Sequence, residues 1–450
     1  MLLFVLDPYF FAPEQAQTFP HRAQFLLESL RALHDNIAHL GSRLVVVAGR
    51  SVEVVPEVAR AVDARRVVAQ GWTEPFGRER DRRVGEVLAA ADVSFELFDG
   101  ETMASPGTLR TGQGEPYRVF TPFARAFARE VRVMAPLPAP RTLPPPPSLG
   151  RLVTVGIPTL ESLGLRRNDA IIAGGERAAR QRLRQFLDGP ADEYHHDRDR
   201  MDRPGTSRLS ADLKFGTLSA RTVWSAVQAK ASGTEWQRAY LNELVWREFS
   251  HALLWDRPSL LSEPFRPAWA HFPFLPTGDT VGERRWKAWC EGRTGFPIVD
   301  ASARQLLGEG FVHNRARMIS ASFLTKDLLI DYRRGEAHYL RLLVDGDWAQ
   351  NNAGWQWATG CGCDAQPYFR IFNPTSQGER FDPDGDYVRR WVPELAALPA
   401  RYIHDPKSAP PEVLARAQVR LGDDGNYPRP IVDHGEARTR FLKLAKTALG

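Results

Sequence analysis

Apolar residues fall in two rhythms along the chain. Residues 2–6 (LLFVL), 43–48 (RLVVVA), 66–70 (RVVAQ) and 93–98 (VSFELF) are short runs of β-branched and large apolar side chains, the composition of buried strands. Between them, residues 20–40, 52–64 and 78–91 repeat apolar side chains at helical spacing. Strand and helix in alternation predict a parallel α/β sheet over about 1–125. Residues 136–147, PLPAPRTLPPPP, hold seven Pro in twelve positions and can form neither a helix nor a central strand. Past about 175 the strand-like runs nearly vanish and helical patterns such as RAYLNELVWREFSHALLW take over. The predicted organisation is an α/β domain over 1–125, a Pro-rich linker over 126–175, and an all-helical domain over 176–450.

A chain of 450 residues is too long for one ordinary core and can enclose a large cofactor. No window reaches the apolar length of a membrane helix, and MLLFVLDPYFF is too short and lacks the basic flank of a signal peptide. A cytoplasmic protein is expected. Cys361 and Cys363 are separated by one residue and Cys290 is remote, a spacing that fits neither a disulfide framework nor a zinc site. A formal charge of +5 with a pI near 9.2 permits a polyanionic partner if the basic groups cluster.

One stretch stands apart. DGDWAQNNAGWQW, residues 345–357, packs two Asp, two adjacent Asn and three Trp into thirteen positions. A solvated loop has no need of the Trp, and a core helix does not hold Asp345, Asp347, Asn351 and Asn352 without partners, so the pattern predicts a lined cavity. Along YLNELVWREF, Glu243, Trp246 and Arg247 fall at i, i+3 and i+4 and would share a helix face. In HNRARM, Asn314, Arg317 and Met318 do the same. GTSRLSADL, residues 205–213, sets three hydroxyls beside a Gly at a helix entry, suited to phosphate oxygens or to ordinary capping. No G-x-G-x-x-G or Walker sequence is present.

These segments, together with GRTGFPIVDASARQL, HNRARMISASFLTKDLLIDY and the continuation of the Asn-rich stretch through CGCDAQPYFRIFNPTSQGERFD, resemble the DNA photolyase and cryptochrome family, and within it class I cyclobutane pyrimidine dimer photolyases. The resemblance covers nearly the whole chain and is densest over 190–435. It implies light-driven repair of pyrimidine dimers in DNA by electron transfer from reduced FAD, by an enzyme expected to be a monomer. A cryptochrome-like photoreceptor is the alternative. It places Tyr194, Thr206, Ser207, Leu209 and Ser210 on the FAD phosphates, Arg317 and Asp345 as a pair beside the flavin ring, Asp347 near its ribityl edge and Asn351 facing flavin N5. An amide there binds reduced flavin without adding the negative charge that Asp would bring. It places Glu243, Trp246, Asn314, Met318 and Trp357 on the flipped dimer, with Glu243 stabilising charge on a thymine carbonyl. It puts Arg198, Arg315, Arg370 and Gln377 on the DNA backbone side. The branch that repairs (6-4) lesions typically carries His in the Asn314 region.

Three departures from the family pattern carry expectations. The chain opens at what resembles the family's second strand; loss of the central first strand should expose apolar surface. The carboxylate that commonly holds a folate antenna falls near Gly77, and the adjoining Cys-Lys pair is matched by Leu261 and Ser262, which argues against methenyltetrahydrofolate and leaves another antenna chromophore or none. In the electron-transfer chain that photoreduces the flavin, Trp355 matches the proximal member, but Tyr332 takes the middle position and Phe274 the distal one.

Overall fold

The computed structural model describes residues 1–365 and 367–449. The chain forms two compact units, one of residues 1–189, 207–258 and 344–349, the other of 190–206, 259–343 and 350–450.

In the first unit, the four predicted strands form at β1 (Leu2–Leu6), β2 (Leu44–Ala48), β3 (Arg66–Gln70) and β4 (Ser94–Phe98). They pair in parallel as β1 with β2 and β3 with β4. The single sheet expected from the alternating pattern is therefore two separate ladders, because no described strand supplies the hydrogen bonds between them. Helices α1 (Pro20–His39), α2 (Ser51–Ala61) and α3 (Pro75–Ala89) fill the predicted helical segments, and Pro20 and Pro75 open theirs, where the missing N–H costs nothing. Val54 and Val58 of α2 pack on Val45 and Val47 of β2 with Leu3 and Val5 of β1. Val84 and Leu88 of α3 pack on Val67 and Phe95 of the second ladder, together with Ala59 of α2. On the far face of that ladder, Val68 is 54% and Phe98 58% exposed.

Helix α4 (Phe120–Glu130) runs across residue 125. The Pro-rich stretch is extended and exposed. Neither it nor its continuation is a free spacer: Leu143 N–H donates to the Leu40 carbonyl at 2.8 Å and Val155 N–H to that of Val46 at 2.9 Å. Leu160, Leu163 and Leu165 share a core with Ala23 and Leu27 of α1. The first unit also contains α5 (Glu235–Asp256), capped by the Thr234 side chain on Gln237 N–H and packed against α4.

The second unit is helical. It contains α6 (Thr280–Glu291), α7 (Pro297–Glu309), α8 (Asn314–Ser322), α9 (Tyr332–Leu342) and, from residue 350 on, α10 (Trp348–Thr359). Asp279, His313 and Asp331 cap α6, α8 and α9 with their side chains. Helix α7 lies at the centre, with Ile298, Val299, Ala301 and Leu306 in a large core and α6, α8 and α9 against it. Helix α8 runs on into one π turn, Phe323–Asp327. Among the described residues, no helix is long and apolar enough to cross a membrane.

Candidate active site

In the first unit, α5 holds Glu243 and Trp246 half-buried. The Trp246 ring lies flat on Phe120, centroids 3.6 Å apart and planes 6° apart, with Phe249 at its edge. One ring face is thus taken by the core. Arg247, expected on the same presented face, is buried: its Nη1 donates to the Glu101 carbonyl at 2.7 Å, and Glu248 lies 3.6 Å away. The face is narrower than the spacing suggests because the whole inner side of α5 is core. Glu248 accepts Met103 and Ala104 N–H, and burial pushes its carboxyl up to about 7.

Asp345 and Asp347 sit in the buried turn before α10. An Asp347 oxygen lies 3.5 Å from His251 Nε2 and 3.9 Å from Lys214 Nζ, which itself pairs with Glu74 at 2.6 Å. Burial lowers the His251 pKa, so the ring is neutral, and its Nδ1 meets Thr73 Oγ1 at 2.7 Å. Burial alone would also lower the Lys214 pKa, but Glu74, Asp347 and Glu101 outweigh it, and Lys214 keeps its charge among these acids. Glu101, His251 and Asp347 bring ligand-type atoms within 4.8 Å of one another. With Thr73 and Lys214 among them, they form a largely buried, hydrogen-bonded polar cluster.

The hydroxyl segment is not an ordinary cap. Leu209 takes the N-cap position of the helix Ser210–Phe215 and gives no side-chain hydrogen bond, while Arg208 stands in the left-handed region at φ 55°. Ser207 accepts the Tyr240 hydroxyl. Gly77 is buried on α3, and a Cβ there would lie 2.5 Å from the Trp72 Cβ and 2.8 Å from its ring. The position where folate binders carry an acid thus has a packing reason to be Gly.

In the second unit, Asn351 and Asn352 lie side by side on α10 over Glu336 of α9. Asn351 Nδ2 donates to the Glu336 carbonyl at 3.0 Å, and Asn352 Nδ2 donates to Glu336 Oε1 at 3.0 Å and to the Leu260 carbonyl at 2.8 Å. Gln356 Nε2 donates to Asn352 Oδ1. With its N–H2 engaged, Asn351 has its Oδ1 left to offer, an acceptor that fits a flavin N5–H and not a bare N5. Glu336, buried, is pushed up to about 7. Nothing in RRGEAHY marks it: a lone acid between basic residues reads as a surface charge, and only the packing of α9 on α10 reveals it.

Tyr194 is buried and Thr206 half-buried, and Arg198 lies over the Tyr194 ring. Arg317 donates Nε–H to the Val312 carbonyl at 2.8 Å. Asn314 is exposed and its Nδ2 lies 3.8 Å from Met318 Sδ, so those two do share a face. Arg315, Met318, Trp357, Arg370 and Gln377 line one cavity of about 520 Å³, along with residues that sequence reasoning missed, Phe372, Arg380 and Phe381 among them. Arg315 is partly neutralised there, 2.8 Å from Asp199 and over the Phe381 ring. Trp355 is buried, with ring contacts to Tyr339 and Trp289.

Two family profiles match the chain: DNA photolyase over residues 1–143 and the FAD-binding domain of DNA photolyase over 240–447. The deoxyribodipyrimidine photo-lyase of Agrobacterium fabrum is 40% identical over 93% of this chain and 87% of its own length. That of Escherichia coli is 39% identical over 99% and 93%. A class III photolyase structure from Agrobacterium tumefaciens superposes with a TM-score of 0.91 at 37% identity, covering 100% of this chain and 92% of its own. A Synechocystis cryptochrome structure does so at 0.87 and 27%, covering 98% and 92%. The class is thereby defined as a flavoprotein, with FAD as its cofactor. Within it, the chain belongs to the DNA photolyase family.

Proposed function

We propose that this chain splits cyclobutane pyrimidine dimers in DNA, driven by light. The observation that carries the reading is the cavity of about 520 Å³, where the Trp357 ring and Met318 offer stacking surface and Arg315, Arg370 and Arg380 offer charge for phosphates. Its size suits two bases swung out of a duplex, and a dimer, already poorly stacked, costs less to extrude than intact bases. Stacking contributes about 1–3 kcal/mol per base. When bound in its reduced form, FAD would supply reversible one-electron chemistry, so that repair would carry no net redox change.

The chain's own residues divide the remaining work. Asn351 offers Oδ1 to the flavin N–H, and Glu336 and Asn352 hold the helix face behind it. Tyr194, Thr206, Ser207, Leu209 and Ser210 serve the cofactor phosphates, Arg317 with Asp345 and Asp347 the ring and ribityl edge. Glu243, Trp246, Asn314, Met318 and Trp357 serve the dimer, and Arg198, Arg315, Arg370 and Gln377 the backbone. The reading extends to a monomer acting in the cytoplasm, with no folate held at Gly77.

Purified protein, chemically reduced and anaerobic, should restore thymine absorbance to a dimer-containing oligothymidine under near-UV or blue light, and not in the dark. Failure with FAD present and reduced would favour a photosensor. Trp246→Ala should weaken binding of dimer-containing DNA more than of intact DNA; equal losses would mark Trp246 as merely structural.

A further inference from the structure

The family-type hole-transfer route through residues 332 and 274 is poorly served in this chain. Tyr332 is buried, its hydroxyl has no hydrogen-bond partner among the described residues, and burial holds its pKa well above the usual phenol range. An oxidised Tyr must shed its proton, and among the described residues no group is hydrogen-bonded to the Tyr332 hydroxyl to take it. Phe274 has a ring contact with Phe272 among the described residues, and a phenyl ring is far harder to oxidise than an indole.

Another path leaves the same starting residue. The Trp355 ring stands edge-on to Trp289, centroids 6.1 Å apart, and Trp289 stacks on Trp286 at 5.4 Å and 23°. Trp289 is fully buried, while Trp286, one helical turn away on α6, is half-buried. We infer that this chain photoreduces its flavin through Trp355, Trp289 and Trp286, and not through Tyr332. The inference rests on the proposed function and on the family resemblance, in which Trp355 matches the chain member next to the flavin.

The surroundings suit the passage of a positive hole. Trp289 Nε1 donates to the Ser320 carbonyl at 3.3 Å, and that dipole favours positive charge on the indole. His338 lies 5.5 Å from Trp289 and 5.6 Å from Trp286. Burial pushes it down to about 4, so it adds no opposing charge. Arg334 lies 4.5 Å over Trp286, which opposes a hole there, but it is held by Glu283 in two hydrogen bonds of 2.9 and 3.0 Å. For each photon one electron leaves Trp355 for the oxidised cofactor. Trp289 refills Trp355, Trp286 refills Trp289, and a thiol in solution restores Trp286 by giving up one electron and, on becoming a thiyl radical, its proton.

The test uses FAD-loaded, oxidised protein with dithiothreitol under blue light and without air. Trp289→Phe and Trp286→Phe should each cut the yield of reduced flavin several-fold and shorten the life of the tryptophanyl radical seen by transient absorption. Tyr332→Phe should leave both unchanged. Trp286, half-buried, covers the case in which the Trp289 variant fails to fold. The inference is overturned if Tyr332→Phe abolishes the long-lived radical, or if both Trp variants keep bound FAD and the wild-type yield. Loss of dimer repair by chemically reduced wild-type protein would instead overturn the functional reading, which this experiment leaves separate.

Discussion

Asn351 shows how one amide is oriented by what lies behind it. Its Nδ2 is engaged by the Glu336 carbonyl, which leaves the oxygen as the group presented. Asn351→Asp would put a negative charge where reduced flavin is already anionic. The variant should keep FAD but reoxidise faster in air; unchanged retention of the reduced cofactor would sink the assigned role. Arg370 works at longer range. Exposed at the rim of the cavity, it should add one released counterion on DNA binding, so Arg370→Gln should lower the slope of log K against log salt by about 0.9. An unchanged slope would take Arg370 off the phosphate path.

At the scale of elements, the contact of α9 with α10 decides where Trp355 stands. A Cβ on Gly335 would lie 2.2 Å from the Trp355 ring and 2.6 Å from Leu324, so only Gly lets the indole pack there. Gly335→Ala should destabilise the protein by about 1–3 kcal/mol through overpacking and lower the photoreduction yield by displacing Trp355. An unaltered melting temperature would show that the helices can part without cost. Helix α5 teaches the complementary lesson. Its sequence spacing groups Arg247 with Glu243 and Trp246, yet Arg247 turns inward to the Glu101 carbonyl, a partner that is remote in the chain.

For the whole molecule, three buried carboxyls set a pH dependence. Burial pushes Glu248, Glu336 and Asp382 each up to about 7, whereas in the unfolded chain they ionise near their ordinary values. Between those limits the unfolded state has released protons the folded state still holds, so stability falls as pH rises from about 4.5 to about 7. Calorimetry on the FAD-loaded protein should show a melting temperature that declines across this window. Glu336→Gln should flatten the decline, its share being at most roughly 3 kcal/mol. An unchanged profile would mean that Glu336 ionises normally in the fold.

The sequence by itself determined the four strands, the helices between them and the helical second half, because each rests on local periodicity and on Pro and capping residues close in the chain. It also marked Asn351, Trp355 and Trp357, because Asn and Trp crowded into residues 345–357 are out of place in an ordinary helix or core unless they line something; Met318 was marked by the helix face it shares with Asn314, and Arg315 only by the family resemblance. Only the tertiary structure decided that the strands form two ladders, that Glu336 stands behind the two Asn, that Asp347 meets His251 and Lys214, and that Trp289 and Trp286 continue the path from Trp355. Those facts depend on residues far apart in sequence arriving within a few ångström, and on burial, which changes the charge and the partners of a side chain without changing its name.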